Sequence, residues 1–254
     1  MFFSRRAALQ TELETWLRAG KQPAFWWRDD DAAVQCPELS ALIDTLSSVD
    51  VALATVPALL EPALARELCG RGNVAIFQHG WRHDNHNGAD SVPSEFPPDR
   101  DRNVVADELR KGQEILSGSF PLSFYAVFVP PWHSSAPWIL NDAARLGFTA
   151  VSLPPAPSPT FKHGYCGELN FEIDLSDWSK GGAFIGLDEF CRRVTRVLKA
   201  RRLEGALDEP IGILSHHKVL TARDRGHIAS FLDVVAGASK WPSIRELVAV
   251  AAAH

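Results

Sequence analysis

Val74-Ala75-Ile76-Phe77-Gln78-His79-Gly80-Trp81-Arg82-His83-Asp84-Asn85-His86 joins a strand signal directly to a polar cluster. The apolar run Val74 to Phe77, with β-branched members and introduced by Gly72-Asn73, predicts a buried strand. Three histidines and an aspartate follow within the eight residues 79 to 86. His79 leaves the strand end and His83 comes four residues later. A helical turn there would put both imidazoles on one face, able to point at one ion. Zinc and its neighbours accept neutral imidazole, usually with a carboxylate or thiolate completing the set. The same residue types are ordinary in loops, so the pair alone fits a ligand site and an exposed loop equally.

Outward from this stretch the chain alternates strand and helix. A helix over 4–19 precedes a strand at Ala24 to Trp27, and residues 37–48 read as a helix opened by Pro37. A strand at Val51 to Val56 and a helix over 62–70 lead to Val74. After a polar, Pro-rich loop from Gly88 to Pro98 come a helix over 100–117, a strand at Phe124 to Val129, a helix over 136–146 and a strand at Phe148 to Ser152. Pro154 to Pro159 reads as a mobile loop. A strand at Leu169 to Ile173, a helix over 187–201 and a strand at Ile211 to Leu214 follow, with helices over 221–236 and 242–253 at the end. Repeated strand-then-helix order predicts an α/β fold, a (β/α) barrel or doubly wound sheet, as a single domain over 1–254.

The net charge of −5 and the lack of a long basic run argue against a dedicated nucleic-acid binder. No apolar stretch has the length of a membrane span, since Pro57, Glu61 and Pro62 interrupt the best one. Met1 to Arg6 lacks the pattern of a signal peptide. Cys36, Cys69, Cys166 and Cys191 stand apart, with no Cys-x-x-Cys pair, and are expected to be reduced. These features predict a cytoplasmic protein.

Five polar clusters fall just beyond predicted strand ends: Asp29 to Asp31, His79 to His83, Pro130 to His133, Asp174 to Trp178, and His216-His217. In parallel α/β architectures that rim gathers catalytic groups, because each strand delivers its next residue to one mouth. Three adjacent carboxylates repel unless something offsets them. One aspartate can hold a metal while its neighbour takes the proton of a water whose pKa the metal lowers. An imidazole such as His216 can hand a proton to a leaving nitrogen.

Taken in order, Arg28-Asp29-Asp30, His79-Gly80-Trp81-Arg82-His83, Pro130-Pro131-Trp132, Asp174-Leu175-Ser176-Asp177-Trp178 and Leu214-Ser215-His216 resemble the five motifs of the NodB-type polysaccharide deacetylases, carbohydrate esterase family 4. The resemblance covers roughly residues 24 to 217, with the flanking helices outside it. It implies a distorted (β/α)7 barrel and a divalent metal, commonly zinc, with cobalt, nickel or manganese as alternatives. It implies Asp29 as general base, Asp30, His79 and His83 as metal ligands, and His216 as general acid. The backbone N–H of Trp132 would help hold the oxyanion. Trp81, Pro131, Trp132, Trp178 and His217 are the candidate substrate contacts, the tryptophans either stacking on sugar rings or belonging to the core. The implied substrate is a small molecule or oligosaccharide bearing an N-acyl group.

The chain departs from the family pattern at three places. Asp31 stands where the first motif usually has glycine, so the register can slip by one, and Gly80 stands where the second usually has Ser or Thr. Val129 stands where the third begins with an arginine that braces the base, with Arg28 as a substitute. Asp174 or Asp177 would orient His216, or simply form a turn with a helix cap, and His217 is the alternative acid. His86 and His133 read as ordinary loop histidines. The other readings are a degenerate barrel that binds a glycan or partner, an amidase acting on cyclic amides, and an all-helical phosphohydrolase suggested by His83-Asp84.

Overall fold

The computed structural model describes residues 4–155 and 166–253. The stretch from Pro154 to Pro159 lies mostly outside them. In chain order the elements are α1 (Arg5–Arg18), β1 (Phe25–Ala32), α2 (Pro37–Thr45), β2 (Val51–Thr55), α3 (Pro62–Leu68), β3 (Val74–His79), α4 (Arg102–Ser119), β4 (Phe124–Val129), α5 (Pro137–Asn141), β5 (Ala150–Val151), β6 (Gly167–Glu168), β7 (Ile173–Asp174), β8 (Ser176–Asp177), β9 (Ala183–Phe184), α6 (Leu187–Glu204), β10 (Ile211–Ser215), α7 (Ala222–Val235) and α8 (Ile244–Ala251).

Eight strands form one sheet in the order β6-β5-β4-β3-β2-β1-β10-β7. Every pairing in it is parallel. Its two edge strands, β6 and β7, are separated in the chain only by residues 169–172. So short a link reaches at most ~17 Å, and the sheet must therefore curl until its edges nearly meet. The seam is crossed by the Phe171 N–H bonding Leu153 O on one side and the Glu172 N–H bonding Gly212 O on the other. The result is α/β, a curled parallel sheet of the distorted (β/α)7 type. An eight-stranded sheet also removes the all-helical phosphohydrolase reading. The continuous strand expected at Leu169 to Ile173 is instead this seam, and the helix expected over 136–146 ends at Asn141.

Strand parity separates two packed layers. Phe25 and Trp27 of β1, Val51 and Leu53 of β2, and Ile211 and Ile213 of β10 face outward against helices, with Leu9, Leu13 and Trp16 of α1 and Phe190 of α6 in the same cluster. Trp26, Ala52, Ala54, Ala75, Phe77, Val127 and Val129 face the concave side. There Ile244, Leu247, Val248 and Ala251 of α8 close one end of the barrel. Each such fully buried large side chain contributes ~1.5–3 kcal/mol. Ser243 and Glu246 form a capping box that starts α8, and Asp50 accepts the Ile244 N–H at 3.1 Å. With α8 at one end, the other end of the barrel, at the strand C-termini, is left for chemistry. Among the described residues no helix is long and apolar enough to cross a membrane.

Candidate active site

β1 runs on through the aspartates as far as Ala32 rather than ending at Trp27. Its register against β2 shifts there: Asp29 faces Leu53 and Ala32 faces Thr55, so β1 carries one extra residue. Asp31 takes φ +72°. Such a bulge re-aims a side chain, and this one breaks the alternation within the aspartate run.

The three carboxylates consequently meet three environments. Asp29 shares the outward parity of Trp27. It accepts the Ser215 hydroxyl at 2.6 Å and the His217 Nδ1–H at 2.5 Å, while the Trp27 indole donates to Ser215 Oγ at 2.9 Å. Asp30 faces the barrel interior, gripped by Arg28 through Nε at 2.8 Å and a terminal nitrogen at 3.0 Å. Asp31 lies 3.3 Å from the Nε2 of both His79 and His83.

The carboxylate grouped with the two imidazoles is thus Asp31, whereas the sequence reading placed Asp30 there and Asp29 beside the reacting water. The slip of one residue has a physical cause: the bulge turns Asp31 back toward the mouth, and parity sends Asp29 through the sheet to the other side. Likewise His217 is fully buried in the outer layer with Asp29, away from the candidate substrate side.

The ligand atoms of Asp31, His79 and His83 all lie within 4.8 Å of one another. Tetrahedral zinc with bonds of ~2.0–2.1 Å separates its ligands by ~3.3 Å, which is the Asp31–imidazole spacing. His79 Nδ1 lies 3.0 Å from Val129 O, so Nδ1–H donates there and Nε2 is left free toward the mouth. One carboxylate and two such imidazoles suit a divalent ion of the zinc type.

His83 is not held by a helical turn. The loop leaves β3 with Gly80 at φ +57° and returns with His83 at φ +62°. Glu95 clamps it, its carboxylate accepting the N–H groups of Trp81 at 3.0 Å, Arg82 at 2.6 Å and His83 at 2.9 Å. A Cβ at Gly80 would sit 2.0 Å from Glu95 Oε2 and 2.7 Å from Pro131, so only glycine fits. Sequence reasoning missed Glu95 altogether, since nothing local marks a loop glutamate as a clamp.

Burial alone would raise the Asp30 carboxyl, but Arg28 and the imidazoles of His79, His216 and His133 hold it below the ordinary carboxylate range. Asp31 is also pulled down, burial being outweighed by His79 and His83. Burial would lower His79, yet Asp31 and Asp30 raise it, while His83 is lowered by burial and by its charged neighbour His79. The paired carboxylates thus favour positive charge at His79, and a bound cation would supply that charge in place of a proton.

Opposite this group stands His216, on the inward parity of β10's end, its Nδ1 3.4 Å from Ser176 Oγ and its ring edge-on to Trp178 at 4.8 Å. Among the described residues neither Asp174 nor Asp177 hydrogen-bonds it; of the two roles the sequence left open for them, they take the turn and cap. Asp174 accepts the Ser176 N–H and the Trp178 indole, and Asp177 caps the following turn through Ser179. Trp178 is 57% exposed at the mouth. Trp132 packs on His83 at 4.2 Å between ring centres, Pro131 is buried beneath Gly80, and Trp81 turns into the Phe96–Leu109 cluster. His86 is exposed.

No family model matches the sequence, and no curated protein matches it either. Solved structures do share its fold. A Mycobacterium smegmatis protein classed with the polysaccharide deacetylases superposes with a TM-score of 0.66 at 14% identity, over 92% of this chain and 91% of that one. The Bc1960 peptidoglycan N-acetylglucosamine deacetylase, bound to a hydroxamate, gives 0.57 at 15%, over 90% or more of each (91% and 94%). A family 4 acetyl xylan esterase from Clostridium thermocellum, holding a cobalt ion, gives 0.52 at 13%, over 89% and 91%. The chain has the fold of the carbohydrate esterase family 4 deacetylases, as its motif order implies.

Proposed function

We propose that this chain is a divergent NodB-type deacetylase, a divalent-metal-dependent hydrolase that removes an acyl group from the nitrogen of an N-acetylated sugar or related small molecule. The observation that carries the reading is the convergence of Asp31, His79 and His83 on one point, with the Arg28-braced Asp30 on the same inward face. Asp31, His79 and His83 would hold the ion, with zinc favoured and cobalt a competent substitute. A divalent ion there supplies Lewis acidity to the amide carbonyl and lowers the pKa of a water.

The remaining work falls to the chain. Asp30, kept ionised by Arg28, takes the proton of the attacking water as its oxygen bonds to the carbonyl carbon. Trp132 lies in the short turn Pro131–His133, where first-turn N–H groups have no intrahelical acceptor, so its N–H can meet the developing oxyanion. His216 gives a proton to the nitrogen as the C–N bond breaks, releasing a carboxylate and an amine. The neighbours carry sugar-directed names: one is a deacetylase of peptidoglycan N-acetylglucosamine, another an acetyl xylan esterase. The exposed Trp178 and the half-buried Trp132 offer flat faces on which a pyranose could stack.

The test separates the two inward aspartates. Asp31→Ala should lose both zinc binding and deacetylation of an N-acetylchitooligosaccharide. Asp30→Asn should bind zinc normally and lose ~10²–10⁴-fold in kcat, the usual worth of a positioned base. Loss of metal from Asp30→Asn would move the ligand back to Asp30, and a wild-type protein inert with zinc and with cobalt would remove the reading.

A further inference from the structure

His133 pays twice for its position. Its backbone sits at φ +55°, left-handed for a residue with a Cβ, directly after Trp132 at φ +52°. Its Nδ1 is buried with no hydrogen-bond partner among the described residues. A left-handed non-glycine residue costs ~1–3 kcal/mol and an orphaned buried polar atom ~1–3 kcal/mol more. Glycine at 133 would remove both costs and give up only the ring's packing on Phe171, which any apolar ring would supply without an unmet polar atom, so packing alone does not call for a histidine there.

The ring faces the reaction chamber. It packs on Phe171 of the barrel seam at 4.9 Å, and the Arg28 guanidinium lies over the same Phe171 at 4.7 Å. Arg28, Asp30, His79 and His216 lie close enough for their charges to act on it. Every one of these has work elsewhere in the site, whereas among the described residues no hydrogen bond ties the His133 side chain to the Asp31 group or to Glu95.

We propose that His133 is a substrate-contacting residue whose Nδ1 hydrogen-bonds an uncharged polar group, an amide or hydroxyl, of the acylated substrate. The substrate class rests on the deacetylase reading; the contact itself rests on the orphaned nitrogen and the strained backbone. Burial and the cationic neighbours push the imidazole down to about 3, so it meets its partner as a neutral ring. A neutral ring favours an uncharged partner over a carboxylate or phosphate, which would call for an imidazolium. Strain and an unmet donor or acceptor gathered in one residue are then offset only when substrate arrives.

The test uses zinc-loaded full-length protein, His133→Gly and His133→Asn, with penta-N-acetylchitopentaose as probe. Glycine relaxes the left-handed backbone, and asparagine tolerates it while keeping a polar tip. Both variants should bind zinc within twofold of wild type and unfold cooperatively, which shows the fold intact. Its kcat/KM should fall at least tenfold, carried mainly by KM, with His133→Asn recovering part of the loss. A His133→Gly enzyme within twofold of wild-type kcat/KM overturns the proposal. If the wild type does not turn the probe over, binding to the zinc-loaded protein by calorimetry decides. A tenfold weaker Kd for His133→Gly supports the contact and leaves only the hydrolase reading refuted. An equal Kd, or no binding by wild type, overturns the contact too.

Discussion

Replacing Glu95 by glutamine tests whether the metal group depends on a residue outside all the motifs. In the wild type one carboxylate oxygen serves the Arg82 and His83 N–H groups and the other serves Trp81. Glutamine offers a single acceptor oxygen, so at least one of these buried N–H groups must face an NH₂ donor. Orphaning one costs ~1–3 kcal/mol, and the charge assistance on the rest is lost as well. Part returns, because burial raises the Glu95 carboxyl and disfavours its charge even against the three donors, a penalty that a neutral amide escapes. A net loss of ~2 kcal/mol follows, lowering Tm by ~4–8 °C for a domain of this size. The sharper consequence is at His83, whose left-handed backbone is held in place by this clamp. Residues that orient ligands are typically worth ~10–100-fold in metal affinity, and calorimetric titration of zinc into chelator-stripped protein should show a loss in that range. In a cycle with His83→Ala, the Glu95 effect on affinity should vanish, since the clamp acts through that imidazole. Zinc affinity of Glu95→Gln equal to wild type would refute the argument, even with the expected fall in Tm.

Arg28→Lys should leave zinc binding intact but lower kcat ~10–100-fold, because a point charge replaces the fork that fixes Asp30 and the bond to Ser152 Oγ. Arg28 pulls the Asp30 carboxyl down, so weakening it raises that pKa, and the acid limb of the pH–rate profile should move to higher pH. Asp29→Asn disrupts the fully buried hydrogen bonds from Ser215 and His217 and should cost ~1–3 kcal/mol in urea unfolding while leaving zinc affinity unchanged. Depression of His133 to about 3 means the unfolded chain binds its proton more readily. The stability this group contributes is therefore complete above the unfolded value near ~6.5 and is lost as pH falls from there toward the folded value. At pH 5 the loss is ~2 kcal/mol, and unfolding of chelator-stripped His133→Asn at pH 7 and pH 5 should show acid destabilisation smaller by that amount.

The barrel was legible because its signals are local. Val74 to Phe77, Phe124 to Val129 and Ile211 to Leu214 are apolar runs at strand length, each followed by a polar break. His79 and His216 were legible for the same reason, standing at strand ends, and His83 by its closeness to His79 in the chain. What the sequence does not carry is pairing. Nothing within Arg28-Asp29-Asp30-Asp31 announces that β1 continues to Ala32, because continuation depends on β2 supplying partners at Leu53 and Thr55. The bulge is a mismatch between two strands and so is invisible in either alone. Glu95 reaches its site across a loop with no periodicity, and His133 looked like any loop histidine until its backbone and its unpartnered nitrogen were seen.

The three consecutive aspartates show why one residue of register matters so much. In an unbroken strand Asp29 and Asp31 would share a face and Asp30 would stand alone on the other. Asp31 would then join Asp29 in the outer layer, and no carboxylate would reach the imidazoles. One inserted residue at φ +72° instead puts two successive carboxylates on the inner side. Two carboxylates so close would normally share a proton. Here they are distinguished by their partners: Arg28, two residues back on the same face, takes Asp30, and the imidazoles from β3 and its loop take Asp31. An arginine on the strand's own inward face therefore does at Asp30 what Val129, apolar and buried at the end of β4, is chemically unable to do. Brace and bulge depend on each other. Without the bulge Asp30 is the only inward carboxylate and Arg28 would neutralise it; without Arg28 the second inward charge has no counter-ion of its own.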